Sequence, residues 1–168
     1  MSSNVATIFR TIIQTTTIFI KPHLINHNID EVLLQQLKLK VEGICIKVGY
    51  IKPESVNILS RTSGKMSIGV FDGTISFIIK YEALVCNPAI GDVIECQVSD
   101  INKAAICAFV ESEATSPLNI FMARQHHVGN TEFIGLKKGD LVKLKILGKT
   151  YNYRDTNILV FGQYISST

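Results

Sequence analysis

The sequence lacks the features of several protein classes. No apolar run approaches the ~18 residues that a transmembrane helix needs, so we expect no membrane span. Residues 1–9 lack a basic segment followed by a long apolar one, so we expect no secretory signal. Charged residues make up only 18% of the chain and hydrophobic residues 46%. This balance argues against disorder and predicts one or two small domains with well-filled cores.

The cysteines lack the spacing of a metal site. Cys45, Cys86, Cys96 and Cys107 form no C-x-x-C pair, and no histidine stands at zinc-finger distance from them. Three of the four lie in apolar, strand-like segments. The pattern predicts small, buried, reduced thiols and gives no sign of a metal or another cofactor.

Motifs of catalysis are also missing. The sequence has no G-x-S-x-G, no glycine-rich phosphate loop and no H-E-x-x-H. The histidine pair His126-His127 is a poor metal site because neighbouring side chains on a loop or short helix face different ways. We expect this pair to be exposed or to contact an RNA backbone. The protein is therefore predicted not to be an enzyme.

The first half has the pattern of a small α+β unit. Ile29, Val32, Leu33 and Leu37 recur at helical spacing and predict a helix over residues 29–39. Asn28 precedes this run and Glu31 follows three residues later, as in a capping box. Extended segments are predicted at residues 11–20, 41–47, 50–59 and 75–81, with a basic loop at residues 60–65.

The second half is predicted to be all β. Turn residues separate five predicted strands at residues 93–101, 104–110, 117–121, 141–148 and 156–164. The long excursion between the third and fourth strands is typical of an OB-fold barrel. We place the domain boundary between residues 1–82 and 83–168.

Charge differs between the two halves. Residues 1–81 carry nine Lys or Arg against five Asp or Glu, whereas residues 82–168 carry eight against nine. The excess indicates an acidic partner for the first half, and it argues against a general polyanion binder in the second.

Six short motifs occur in a characteristic order. The first half contains V-E-G-I-C at residues 41–45, G-Y-I at 49–51 and F-I-I-K-Y at 77–81. The second half contains P-A-I-G-D-V at 88–93, P-L-N-I-F at 117–121 and K-G-D-L-V-K-L-K at 138–145. Each motif alone is weak. In this order, over about residues 15–165, they resemble the larger stalk subunit of multisubunit DNA-directed RNA polymerases, the family of the seventh subunit of RNA polymerase II and its archaeal counterpart.

The resemblance implies a fold and a role. The fold is α+β: a truncated ribonucleoprotein-like domain, with one helix on an antiparallel sheet, followed by a five-stranded OB-fold barrel. The role is a non-catalytic subunit that docks on the large core subunits near the clamp, lies beside the RNA exit path and supports initiation. The family also implies a smaller helical stalk partner. It works in the nucleus in cellular eukaryotes, and in the host cytoplasm or the virion when viral.

Two surfaces follow from the resemblance. For docking on the polymerase core, it implies two loops with Pro22, His23, Asn26, Arg61, Ser63, Gly64 and Lys65. Met66 or Ile68 would add an apolar anchor, and Arg61 and Lys65 would meet carboxylates of the core. The alternative is that these loops are ordinary surface turns.

For contact with nascent RNA, the candidates are Lys103, Phe121, Arg124, His126, Lys143 and Lys145. Lys143 and Lys145 alternate with apolar residues and should leave the barrel from one face. That face could equally be an ordinary solvated one, and Phe109 and Phe121 could belong to the core.

The sequence also departs from the family. The second barrel strand of the family presents glycine followed by aromatic residues, whereas residues 105–109 here are A-I-C-A-F. Stacking on an aromatic ring is worth about 1–3 kcal/mol per base, so we expect only weak RNA binding. Residues 111–116 lengthen the next loop. The rival interpretation is a free-standing OB-fold RNA-binding protein of translation or RNA decay, although the motifs of the first half favour the polymerase stalk.

Overall fold

The structure, a computed structural model, describes residues 8–66, 68–69, 71–110 and 116–168. These residues form two compact units. The sheet unit comprises Phe9–Gly43 and Ile51–Val85, and the barrel unit comprises Ile44–Tyr50 and Cys86–Thr168. Of the lengthened loop expected at residues 111–116, only Ser116 is among the described residues.

Most of the secondary-structure elements are strands. In chain order they are β1 (Phe9–Ile20), a short 3-10 helix (Pro22–Leu24), α1 (Ile29–Val41), β2 (Cys45–Ile46), β3 (Gly49–Ile51), β4 (Asn57–Arg61), β5 (Lys65–Met66), β6 (Ile75–Cys86), β7 (Val93–Ile101), β8 (Ala105–Phe109), β9 (Leu118–Ala123), a second 3-10 helix (Arg124–His126), α2 (Thr131–Ile134), β10 (Leu141–Thr150) and β11 (Ile158–Ser167). The predicted α+β class, with a helix on a sheet followed by a closed five-stranded barrel, is confirmed.

A six-stranded sheet has the order β1-β6-β3-β2, and β4 and β5 also pair with β6. Side chains alternate across β6: Phe77, Ile79 and Tyr81 are buried, while Ile78 and Lys80 are exposed. Leu33 and Leu37 of α1 are fully buried. The helix therefore covers one face of the sheet through the apolar spacing that predicted it.

The start of α1 differs from the capping-box prediction. Asn28 occupies the N-cap position, but its side chain makes no capping hydrogen bond. Instead the backbone N–H of Asn28 donates to Asn26 Oδ1 at 2.9 Å. Asn26 Oδ1 thus accepts the N–H that the Glu31 side chain would accept in a capping box, while the Glu31 N–H donates to the backbone Asn28 O at 3.1 Å.

Three segments of the first half of the chain also differ from expectation. Val41 ends the helix, so only Cys45–Ile46 is extended within the predicted segment 41–47. The segment predicted at 50–59 is interrupted between β3 and β4, where Glu54 has a φ of 58°. The basic loop expected at residues 60–65 is shorter because β4 continues to Arg61 and β5 begins at Lys65.

The barrel closes in the order β10-β11-β9-β8-β7, with β10 also paired to β7. β11 runs parallel to β9, whereas its pairing with β10 is antiparallel. This is the strand order of an OB-type barrel. Four of the five strands begin within one residue of their predicted starts, and the last begins two residues later.

Inward-facing side chains alternate along each barrel strand. On β9 they are Leu118, Ile120 and Met122, all nearly inaccessible to solvent. Burying one such side chain stabilises a fold by about 1.5–3 kcal/mol. Gly162 is needed on β11 because a Cβ there would lie 2.7 Å from Leu144 Cδ1.

The excursion between β9 and β10 folds over the barrel end around His127, which is only 5% exposed. Its Nδ1 lies 2.7 Å from Ala123 O, and its Nε2 accepts a hydrogen bond from the Tyr164 N–H at 2.8 Å. The imidazole also stacks on Phe133, with ring centroids 4.1 Å apart. Because Nε2 accepts, the proton is on Nδ1 and donates to Ala123. His127 thereby ties the end of β9 to β11.

Candidate functional site

The sheet unit carries an apolar loop between β5 and β6, which we call the tip loop (described residues 68–69 and 71–74). Ile68 and Phe71 are fully exposed in it, and neighbouring Met66 is more than two-thirds exposed. Large apolar side chains held this far into solvent are typical of surfaces that another protein covers. Of these three residues, the sequence had suggested Met66 and Ile68 as anchors but not Phe71.

Pro22, from the predicted docking set, lies against the tip loop. Gly73 has a φ of +71°, and a Cβ there would lie only 2.8 Å from Pro22 Cγ. Glycine therefore lets the two segments meet. His23 and Asn26 are exposed on the same connection between β1 and α1.

Arg61 already has a carboxylate partner within the chain. Its guanidinium pairs with Asp30 in the first turn of α1 and lies 5.8 Å from the centre of the Phe77 ring. The hydrogen bond between them lowers the pKa of Asp30 and raises that of Arg61. Both groups are accessible, so salt screens the pair.

Gly64 permits a close approach, but to its own sheet. A Cβ at this position would lie 2.5 Å from Ile75 Cγ2 and 2.8 Å from Phe77 Cζ. Ser63 and Lys65 flank it and are exposed. Lys65 therefore remains accessible to a partner's carboxylate.

The barrel unit carries a second surface, on its outer face. Phe121 of β9 and Phe161 of β11 stand directly opposite one another in the parallel pair. Phe161 is 46% exposed and Phe121 is half-buried. Phe121 thus points away from the barrel core, and so does the half-buried Phe109 on β8.

The two rings lie in a groove of about 420 Å³, which we call the barrel groove. Its lining residues are Phe121, Ala123, Gln125, His126, Leu147, Gly148, Phe161 and Gly162. An apolar groove with ring faces and a few polar side chains at its rim can accept a flat, partly polar group such as a nucleobase.

Two lysines, Lys143 and Lys145, lie on β10 before Leu147, which lines the groove. Lys145 is exposed and stands opposite Gln163, whereas Lys143 is partly neutralised by Glu95 at 3.2 Å. The buried Val142, Leu144 and Ile146 alternate with them. The two lysines therefore share the outer face, as their spacing predicts.

Of the remaining RNA candidates, Arg124 and Lys103 lie at the turn between β7 and β8. Arg124 Nε donates to Asn102 O at 2.8 Å, which ties the second 3-10 helix to the turn between β7 and β8. Lys103 is exposed in that turn. His126 lines the barrel groove. The expectation that both histidines are exposed or contact RNA was wrong for His127, which is buried and bonded through both ring nitrogens.

The structure gives little sign of other chemistry. No group of three or more His, Cys, Asp or Glu side chains in the described ranges could hold a metal ion. Burial raises the pKa of Cys45 to about 11 and that of Cys96 to about 12, so both thiols stay protonated and unreactive near neutral pH. No helix among the described residues is long and apolar enough to cross a membrane.

Comparison with known proteins supplies a relative. No protein-family model matches the chain. A protein of Acanthamoeba polyphaga mimivirus, named "putative DNA-directed RNA polymerase subunit", is 26% identical over 151 residues, which cover 82% of this chain and 72% of the viral protein. The chain is similar to a viral polymerase subunit. The resemblance that the six motifs indicated is thereby confirmed at the level of an RNA polymerase subunit.

Sequence reasoning missed part of the barrel groove. Phe161 and Leu147 were not singled out, although a signal existed for each. Phe161 lies between inward-facing positions of β11, so strand alternation alone places it outside the barrel. Leu147, at a register shift between Ile146 and Gly148, continues the outward-facing series of Lys143 and Lys145, so alternation places it outside the barrel as well.

Proposed function

We propose that the protein is a non-catalytic, stalk-type subunit of a DNA-directed RNA polymerase. The observation that supports this most strongly is the similarity to the mimivirus protein along 82% of the chain. The order of the two units, a helix-covered sheet followed by an OB-type barrel, is the order that the stalk family implies. The viral relative favours a viral polymerase acting in the host cytoplasm or the virion over a nuclear one.

The docking surface in this proposal is centred on the tip loop. Ile68 and Phe71 supply the apolar anchors, because burying fully exposed side chains of this size in a partner's pocket contributes most to binding. Pro22 and Gly73 fix the base of the loop. Lys65 offers an exposed positive charge for an acidic rim, whereas Arg61 serves mainly to hold α1 through Asp30.

The barrel groove is the proposed contact with nascent RNA. Phe121 and Phe161 provide ring faces and Lys145 a phosphate contact. Two half-exposed rings and a few cations support only weak, sequence-tolerant binding, with a dissociation constant of about micromolar or higher. Tethering beside the exit path would compensate through high local RNA concentration.

The partners in this proposal are the large core subunits and a smaller helical stalk protein. The test is affinity purification of the tagged chain from cells or virions that contain its polymerase. We expect the large polymerase subunits at near-equal stoichiometry. Recovery of ribosomal or RNA-decay proteins in their place would favour the rival, free-standing RNA-binding protein.

A matched pair of variants sharpens this test. Ile68→Glu with Phe71→Glu should lower recovery of the core subunits about tenfold or more. Leu39→Glu with Val128→Glu, at two other highly exposed apolar positions, should not. Equal recovery with both double variants would place docking away from the tip loop.

A further inference from the structure

β1 is an edge strand that lacks the features by which sheets usually protect their edges. It stands at one end of the sheet order and, among the described strands, pairs with β6 alone. The strand has 12 residues, and its positions 11–20 contain no charge, proline or glycine. Natural sheets usually blunt such an edge with charged side chains, proline or a bulge, because unpaired backbone groups attract another strand.

Among the described residues, one lysine side chain reaches this edge. Lys40 of α1 donates from Nζ to Thr17 O at 2.8 Å and to Thr16 Oγ1 at 3.3 Å. A lysine side chain is long and mobile, so a strand with better backbone hydrogen bonds can displace it. On the face away from α1, Ile13 and Phe19 remain 54% and 62% exposed.

The outward-facing residues of β1 are nearly symmetric about Thr16, whereas Gln14 and Ile18 on the other face are not. In an antiparallel pair of two β1 strands centred on this residue, Thr15 of one copy stands opposite Thr17 of the other. Ile13 of each copy likewise stands opposite Phe19 of the other copy. Threonine pairs and aromatic pairs with β-branched residues are among the favourable cross-strand neighbours. Positions 11–20 contain no charged residue, so this pairing places no like charges opposite each other.

We propose that β1 is a self-association edge, which pairs antiparallel with β1 of a second copy around Thr16. The two-fold axis continues the sheet across both copies and covers Ile13 and Phe19 on its open face. A strand from an unrelated protein would need no such symmetry in β1. The inference concerns the free chain and does not depend on the polymerase role.

Sedimentation equilibrium of the full chain, expressed alone, tests the proposal. We expect a monomer–dimer equilibrium. Ile13→Lys with Phe19→Lys should raise the dissociation constant about tenfold or more, because lysines then oppose lysines. Leu39→Lys with Val128→Lys is the matched control and should dimerise like the unmodified chain. A monomer at every concentration, or an unaffected dimer of the β1 variant, would overturn the proposal.

A charge-complementation experiment tests the register itself. Ile13→Glu with Phe19→Glu should likewise raise the dissociation constant about tenfold or more, so that each variant alone is mainly monomeric at a concentration where the unmodified chain dimerises. Mixing this variant with the double-lysine variant should restore a dimer, since each glutamate then faces a lysine. A mixture that stays monomeric would reject the pairing around Thr16. Thermal unfolding of each variant confirms that it is folded, which both exposed positions should allow.

Lys40→Ala gives a second measurement that leaves β1 unchanged. Removing the side chain that covers Thr17 should lower the dissociation constant of the dimer. A higher dissociation constant would mean that Lys40 takes part in the association, which contradicts the proposed displacement.

Discussion

The tip loop of the sheet unit and the groove of the barrel unit expose apolar side chains in different ways. Ile68 and Phe71 extend from a loop and are fully exposed, whereas Phe121 and Phe161 lie on paired strands and are only partly exposed. A loop anchor gains free energy when a protein pocket removes it from water. Rings fixed on a barrel are preorganised and suit stacking on flat groups that come and go.

The difference extends to the charged side chains. At the sheet unit, Arg61 is paired with Asp30, so the proposed docking rests mainly on apolar contact. On the barrel, Lys145 remains exposed beside the groove, so salt-dependent contact with phosphates is available. The first surface therefore suits a lasting protein interface, and the second a transient nucleic-acid contact.

The largest expected effect separates the barrel core from the barrel groove. Phe133→Ala should cost about 3–5 kcal/mol of unfolding free energy, because it removes a fully buried ring that stacks on His127. Phe161→Ala should cost about 1 kcal/mol or less, since its ring is half in solvent. Urea unfolding measures both. Equal losses would mean that the groove rings belong to the core.

Next in size is the loss of docking at the tip loop. Ile68→Glu with Phe71→Glu should lower recovery of the polymerase core about tenfold or more, as expected when anchors of about 2 kcal/mol each are lost. Stability should change by less than about 0.5 kcal/mol because both residues are exposed. Quantitative affinity purification and thermal unfolding check the two parts. A large loss of stability would show that the tip loop packs within its own unit.

A smaller effect concerns stacking in the barrel groove. Phe121→Ala with Phe161→Ala should weaken binding of single-stranded RNA about fivefold or more, while the salt dependence stays the same. Phe109→Ala is the control, because this half-buried phenylalanine lies at the far end of β8 and does not line the groove. Fluorescence titration with a labelled oligonucleotide gives both constants. Equal effects of the two variants would remove the groove from the interface.

The lysines should act through charge instead. Lys143→Gln with Lys145→Gln should reduce the slope of log affinity against log salt by about 1, since each phosphate contact contributes about that much and Lys143 is shared with Glu95. Titrations at several salt concentrations measure the slope. An unchanged slope would assign phosphate contact to other cations such as Lys103.

The smallest effect is the pH response of the Asp30–Arg61 pair. The hydrogen bond from Arg61 lowers the pKa of Asp30 from its usual 3.8. The contribution of the pair to stability is therefore complete above that value and is lost as pH falls through the lower, folded pKa. Arg61→Gln should return the Asp30 pKa toward 3.8, as measured by NMR titration of the carboxyl group. A pKa that does not rise would show that the pair does not form in solution.

Structural features set by the periodicity of neighbouring residues were predicted correctly, whereas a feature set by competing hydrogen bonds was not. The helix at Ile29 and the strand at Val93 follow local periodicity, which residues close in sequence impose. Asn28, by contrast, looked like the first residue of a capping box, but Asn26 Oδ1 accepts the backbone N–H of Asn28 that the Glu31 side chain would accept in such a box. Such local alternatives differ by about 1 kcal/mol, and the sequence pattern does not rank them.

The proposed sites divide in the same way. The outward direction of Lys143 and Lys145 follows from strand alternation and was predicted. The partner of Arg61 was not, because Asp30 lies far away along the chain and only the packing of α1 beside β4 brings it near.

The sequence by itself determined the class of fold, the strands of the barrel and the resemblance to a polymerase subunit, because alternation and motif order survive without knowledge of long-range contacts. Tertiary structure decided which residues meet: Phe121 with Phe161 across a parallel pair, Pro22 with Gly73, and His127 between Ala123 and Tyr164. Register, bulges and chain crossings set those contacts, and they depend on free-energy differences summed over the whole fold.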